Sequence, residues 1–234
     1  MSDPQHPQRE ASLQLKRVVT VLLVTYLVGV VGSAIAFWVV GASPEGPDLL
    51  GREDFAVNSP FLVALCGGAL VAGGLDGADP RDLLRLHRPR FVDLLVGLLC
   101  GAALQGLVVA FEVVVMDEVF GVDVEAGARD LVDSYVGSER VWLFILVVLM
   151  IPVAEEMFFR GAMLGSMTAQ WGPLRAGLVV TLLFAGTHLQ PAQLPTLLLL
   201  GAALASLAWW RRSTWTSIVA YVTFNLVGYV ALVG

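Results

Sequence analysis

The feature that most constrains this chain is a handful of ionisable residues standing inside apolar runs long enough to cross a bilayer. A helix needs roughly twenty apolar residues to span the hydrocarbon core. Such runs fall at about 18–40, 60–75, 91–113, 141–164, 173–189, 194–210 and 215–233, the second and sixth being short. Lipid offers no partner to a free backbone N–H or C=O, so runs of this kind must be helical. The fold expected is therefore all-α, a polytopic transmembrane helix bundle of about seven spans. Composition agrees: 57% of the 234 residues are hydrophobic and 15% charged, where a soluble domain carries about a quarter charged residues.

The net charge of −6 and the lack of a dense basic patch argue against nucleic acid as a partner. Cys66 and Cys100 both lie in apolar runs and read as small buried hydrophobes, not as a disulfide or metal ligands. Residues 1–17, rich in Pro and Gln, read as a disordered cytoplasmic tail. The run Val18 to Val40 is too long for the core of a signal peptide and reads as a retained first span. Residues 18–234 then form a single membrane domain.

Basic residues orient it. With the N-terminus in the cytoplasm, inner segments hold Arg9, Lys16, Arg17, Arg81, Arg85, Arg88, Arg90, Arg175, Arg211 and Arg212, and outer segments only Arg52, Arg129 and Arg140. This alternation puts the C-terminus outside. The longest outer connection, 114–140, is acidic (Asp117, Glu118, Asp123, Glu125, Asp130, Asp133 and Glu139). It reads as a solvated loop whose apolar positions suit a short surface helix, with a lid or substrate-docking role as the alternative.

Charges within lipid are expensive and mark sites or pairs. The fourth span reads Ile151-Pro-Val-Ala-Glu155-Glu156-Met-Phe-Phe-Arg160-Gly161. On a helix Glu156 and Arg160 are i,i+4 neighbours with the acid first, the better order for an ion pair. Glu155 points about 100° away and has no local partner. A salt-bridged packing node accounts for Glu156 and Arg160 but leaves Glu155 over for acid–base work. In the fifth span, His188 is the one histidine in an apolar run, with Phe184 a turn earlier on the same face. A lone core histidine usually just makes a hydrogen bond; an unassigned Glu in the next span gives it a catalytic partner. The seventh span carries Tyr221 and Asn225, whose side chains suit either interhelical hydrogen bonds or stabilisation of an oxyanion.

Other chemistries lack their residues. There is no His-Glu-x-x-His motif, so the usual zinc-protease ligand set is missing, and no Gly-x-Ser-x-Gly nucleophile elbow. Gly73/Gly77, Gly97/Gly101 and Gly161/Gly165 have the spacing of helix-packing contacts, a weak signal in a chain with 24 glycines.

Glu-Glu-x-x-x-Arg in one span, Phe-x-x-x-His in the next and x-x-x-Asn in a later one resemble the three motifs of the CPBP family (CAAX proteases and bacteriocin-processing enzymes, also called Abi proteins). The resemblance covers about 141–230, including the stretch from Arg211 to Asn225 that leads into the third motif. It implies a metal-independent glutamic intramembrane endopeptidase in which Glu155 and His188 activate water, Glu156 and Arg160 hold the geometry, and Asn225 stabilises the oxyanion. The third motif usually begins with His, and here Tyr221 stands in its place. A catalytically inactive binding, scaffold or bacteriocin-immunity protein using the same cavity is the alternative reading. Substrates implied are a peptide or a membrane protein. Thirteen of fourteen basic residues being Arg suggests a GC-rich, prokaryotic source.

Overall fold

The computed structural model describes residues 6–42, 51–123 and 126–233, with the side chains of 6–14 and Asp76 outside the description. Among these residues the regular structure is entirely helical, and six helices are long and apolar enough to cross a membrane.

The first two, α1 (His6–Val39) and α2 (Arg52–Gly73), run antiparallel: Gly29 lies against Phe61, Gly32 against Pro60, and Gly68 against Thr25. A short helix α3 (Pro80–Leu84) follows, its start capped by the Asp79 carboxylate accepting from the Arg81 N–H. Leu84 is buried against Gly161, and the Leu83 carbonyl approaches Gly165. Thus the glycine pair at 161 and 165 does serve packing. The third apolar helix, α4 (Phe91–Phe111), widens into π-helical turns over Glu112–Asp117.

In the outer connection α5 (Ala126–Ser134) is the short surface helix expected, anchored by buried Val132 and Tyr135; Glu125 lies outside the described residues. The Tyr135 hydroxyl donates to Asp54 Oδ2 at 2.7 Å, and Arg140 Nε donates to the Tyr135 carbonyl at 2.9 Å. Burial and the adjoining Asp54 carboxylate push the Tyr135 phenol well above its ordinary range.

The long apolar run Glu139–Thr187 follows. It comprises α6 (Glu139–Leu143), π-helical turns over Phe144–Met150, α7 (Ile151–Glu155), a second π-helical stretch over Glu156–Met163, and α8 (Leu164–Thr187). At 49 residues it is twice what one crossing needs. It breaks at Gly172, whose φ of 74° suits only a residue without Cβ, and Pro173 restarts the helix. Finally come α9 (Leu194–Arg211) and α10 (Thr214–Val233).

The packing of α4 on α10 counts the crossings. Gly97 meets Thr216 and Val219, whereas Gly101 meets Ala220 and Thr223, so the partner number rises with the residue number and the helices are parallel. Between two parallel spans lies an odd number of crossings, and α9 supplies one. That holds only if Glu139–Thr187 crosses twice, which makes seven spans from six apolar helices.

Three expectations need correction. The helix begins at His6, so from there on the tail read as disordered is helical, residues 1–5 lying outside the description. The second span starts at Arg52, not near 60, because Asp54 finds a local partner in the Asn58 amide (2.8 Å) and a distant one in Tyr135, and Pro60 is accommodated within the helix. The fourth span is not a uniform α-helix around its charges but changes to wide turns at Glu156, a form frequent at functional sites.

Candidate active site

Pro152 cannot donate a backbone hydrogen bond, and it stands directly after one π-helical stretch and just before another. The two acidic residues occupy the junction. Their surroundings could hardly differ more.

Glu156 and Arg160 are both wholly shielded from solvent, with Glu156 Oε1 and Arg160 Nη1 at 2.7 Å. That contact is an ion pair by distance without the alignment of a hydrogen bond; the guanidinium donates instead from Nη2 to the Gly201 carbonyl at 3.1 Å. Its planar face lies 4.3 Å from the Phe184 ring centre, a cation–π contact in a dry site. Any Cβ at position 201 would press on Phe184 and Thr181, so glycine there lets Arg160 reach the backbone of α9.

Glu155 faces the other way, into a cavity of about 110 Å³. Its walls come from α1 (Tyr26), α2 (Phe61 and Leu65), the fourth span (Glu155 and Phe159) and the end of α8 (Thr187 and His188). A void of this size, apolar for the most part but with polar groups at Glu155, Thr187 and His188, has room for water. A larger hollow of about 500 Å³ lies between α2 and α7, lined by residues such as Leu62, Met150 and Ala154, but its walls are almost purely apolar. The candidate acid–base groups line the smaller one.

His188 Nε2 stands 3.8 Å from Glu155 Oε1, beyond a direct hydrogen bond. On the opposite side of the ring, Nδ1 is 2.7 Å from the Phe184 carbonyl. A carbonyl only accepts, so Nδ1 carries a proton, and in the neutral ring the Nε2 lone pair faces the carboxylate. Two acceptors therefore point into one gap. A single water donating one hydrogen to each satisfies both and turns its oxygen lone pairs outward. The Tyr221 hydroxyl, from α10, donates to the second carboxylate oxygen of Glu155 at 3.1 Å.

Of the residues singled out from sequence, Glu155, His188 and Tyr221 thus meet, and Glu156, Arg160 and Phe184 pack behind them. Asn225 is placed differently: its amide donates to the Val147 carbonyl at 2.7 Å and joins α10 to the fourth span. The cavity walls from α1 and α2 escaped the sequence reading. Tyr26 is the one tyrosine of the first span, a polar tip in an apolar run, and offered a faint signal; Gly201, within Leu197-Leu-Leu-Leu-Gly-Ala-Ala, offered none.

Residues 137–227 match the family model described as type II CAAX prenyl endopeptidase Rce1-like, somewhat under half of the chain and the stretch that holds all three motifs. No curated protein and no solved structure matches the chain. The match bears out the resemblance read from the motifs and supports a CAAX-type intramembrane protease in general.

Proposed function

Starting from the Rce1-like assignment of residues 137–227, we propose that the protein is a glutamic intramembrane endopeptidase that hydrolyses a peptide bond in a peptide or membrane-protein substrate. The observation that carries the reading is the shared gap between Glu155 Oε1 and His188 Nε2, in which two proton acceptors face one water-sized space. In this mechanism the bound water attacks the scissile carbonyl carbon while its proton passes to Glu155. The carbonyl oxygen becomes the oxyanion of a tetrahedral intermediate. When the C–N bond breaks, the held proton goes to the departing amine, leaving a carboxylic acid and restoring the pair.

Tyr221, whose hydroxyl already donates to the carboxylate, orients Glu155. Oxyanion donation by Asn225 would require its amide to rotate off the Val147 carbonyl. The arginine distribution supports a cytoplasmic N-terminus and an outer C-terminus, and the use of Arg at thirteen of fourteen basic positions favours a GC-rich, prokaryotic source.

The test is cleavage of a hydrophobic peptide library by purified protein, with and without a chelator. Chelator-resistant cleavage that Glu155→Ala and His188→Ala each reduce by about 10³-fold is the expected result. A folded wild type that cleaves nothing would overturn the reading. It would favour the non-catalytic binding alternative, to which the tyrosine at position 221, in place of the motif's histidine, already points.

A further inference from the structure

At the end of the bundle that carries most of the arginines, Arg85 and Arg212 stand close together with no counter-charge among the described residues. Arg85 closes α3 and Arg212 closes α9, both in the left-handed conformation (φ 51° and 52°). They are neighbours, for the Thr214 N–H that opens α10 donates to the Arg85 carbonyl at 3.3 Å. The carboxylates nearby are occupied. Asp93 takes Arg211 through Nε (3.0 Å) and Nη2 (2.7 Å), and Asp82 holds His87 at 3.0 Å.

Arg85 Nη1 is sealed from solvent with no hydrogen-bond partner, and the same holds for Thr214 Oγ1 and Trp215 Nε1 beside it. Burial and the Arg212 charge both pull the Arg85 guanidinium below its ordinary pKa. A half-buried guanidinium with one nitrogen sealed and unbonded, next to a second cation, is unfavourable unless an anion joins them. The start of α10 adds the positive end of a helix dipole. Exposed Trp209 and Trp210, one turn away, set this corner at the depth of lipid headgroups.

We propose that this corner binds the phosphate group of an anionic lipid, held between Arg85, Arg212 and the first turn of α10. A bidentate guanidinium suits a phosphate diester.

The experiment compares purified protein in phosphatidylcholine nanodiscs with protein in discs that also contain phosphatidylglycerol, reading lipid retention by native mass spectrometry and thermal unfolding. Wild type should retain and be stabilised by phosphatidylglycerol. Each arginine neutralised, Arg85→Gln or Arg212→Gln, should weaken retention about five-fold, whereas Arg88→Gln, an exposed arginine of the same loop, should change it little. In phosphatidylcholine alone Arg85→Gln should be at least as stable as wild type, because it removes an unpaired, half-buried charge. Equal losses for Arg88→Gln and Arg212→Gln would overturn the site in favour of diffuse surface charge. A drop for Arg85→Gln that is the same in both lipids would overturn it in favour of a packing role. Inorganic phosphate that stabilises the protein in phosphatidylcholine, with no retention of phosphatidylglycerol, would overturn the lipid as the source of the phosphate.

Discussion

Glu155 and Glu156 are adjacent in sequence, yet one lines a cavity and the other is locked in a dry core. Glu156 meets Arg160, and Arg160 in turn reaches Gly201 and the Phe184 face. Every surrounding atom holds the pair in one arrangement, and no water or substrate can reach it. Glu155 touches only a tyrosine hydroxyl directly and shares an open gap with His188. The contrast shows how lipid-embedded charge is used in two ways. The packed pair fixes three spans relative to one another, and that rigidity lets the neighbouring carboxylate stay under-coordinated without collapsing onto a partner.

Substitutions on the two sides should therefore fail in different currencies. The largest effect is expected at Glu155: replacement by Gln keeps shape but removes the base, so cleavage should fall about 10³-fold, near 4 kcal/mol of barrier, with the unfolding midpoint almost unmoved. Cleavage that survived this change would move Glu155 to the same structural role as Glu156. Next is Arg160→Met, which strands the Glu156 carboxylate in the core. We expect about 3–5 kcal/mol of lost stability, most of it regained when Glu156→Met is added, since both charges then vanish together. If the double variant were no more stable than the single one, the ion pair would not be what Arg160 contributes.

A third, smaller effect tests how far the packing reaches. Gly101 lets the Ala220 carbonyl of α10 approach α4 more closely than any Cβ would allow. Gly101→Leu should force the helices apart at a cost of about 1–3 kcal/mol and draw Tyr221, the next residue along, away from Glu155. Thermal unfolding and cleavage should both drop. Unchanged cleavage in a destabilised protein would separate the α4–α10 seam from the site.

How much of this was legible in the sequence follows from which signals are local. Apolar runs and the i,i+4 placing of Glu156 and Arg160 are local facts, and both the helical bundle and the pair are present in the structure. That Glu155 differs from Glu156 was also legible, as a carboxylate lacking a partner within one turn. The start of α2 was missed because Arg52, Glu53 and Asp54 look like loop until Tyr135, 81 positions away, supplies a bond to Asp54. The same limit hid the cavity walls: Tyr26, Phe61 and Leu65 are ordinary lipid-run residues until α1 and α2 close over the fourth span. For Asn225, spacing alone said only that it shares a face with Tyr221; the carbonyl it meets, Val147, lies on another span.

The smallest expected effect sharpens the comparison most, because Tyr221 stands between the two carboxylates' worlds. Its hydroxyl bonds Glu155, while its ring is buried edge-on to Phe184, the same ring that carries the Arg160 guanidinium. Tyr221→Phe removes the hydroxyl and keeps the packed ring. The loss is one hydrogen bond of about 1 kcal/mol, so cleavage should fall roughly five-fold through kcat, with stability nearly constant. A loss as large as that of Glu155→Gln would mean that the hydroxyl touches the reacting atoms and supplies the oxyanion donor that Asn225, bonded to Val147, does not provide in this conformation. No loss at all would mean that the rigid core behind Glu155 is enough to aim it, and that the hydroxyl merely follows.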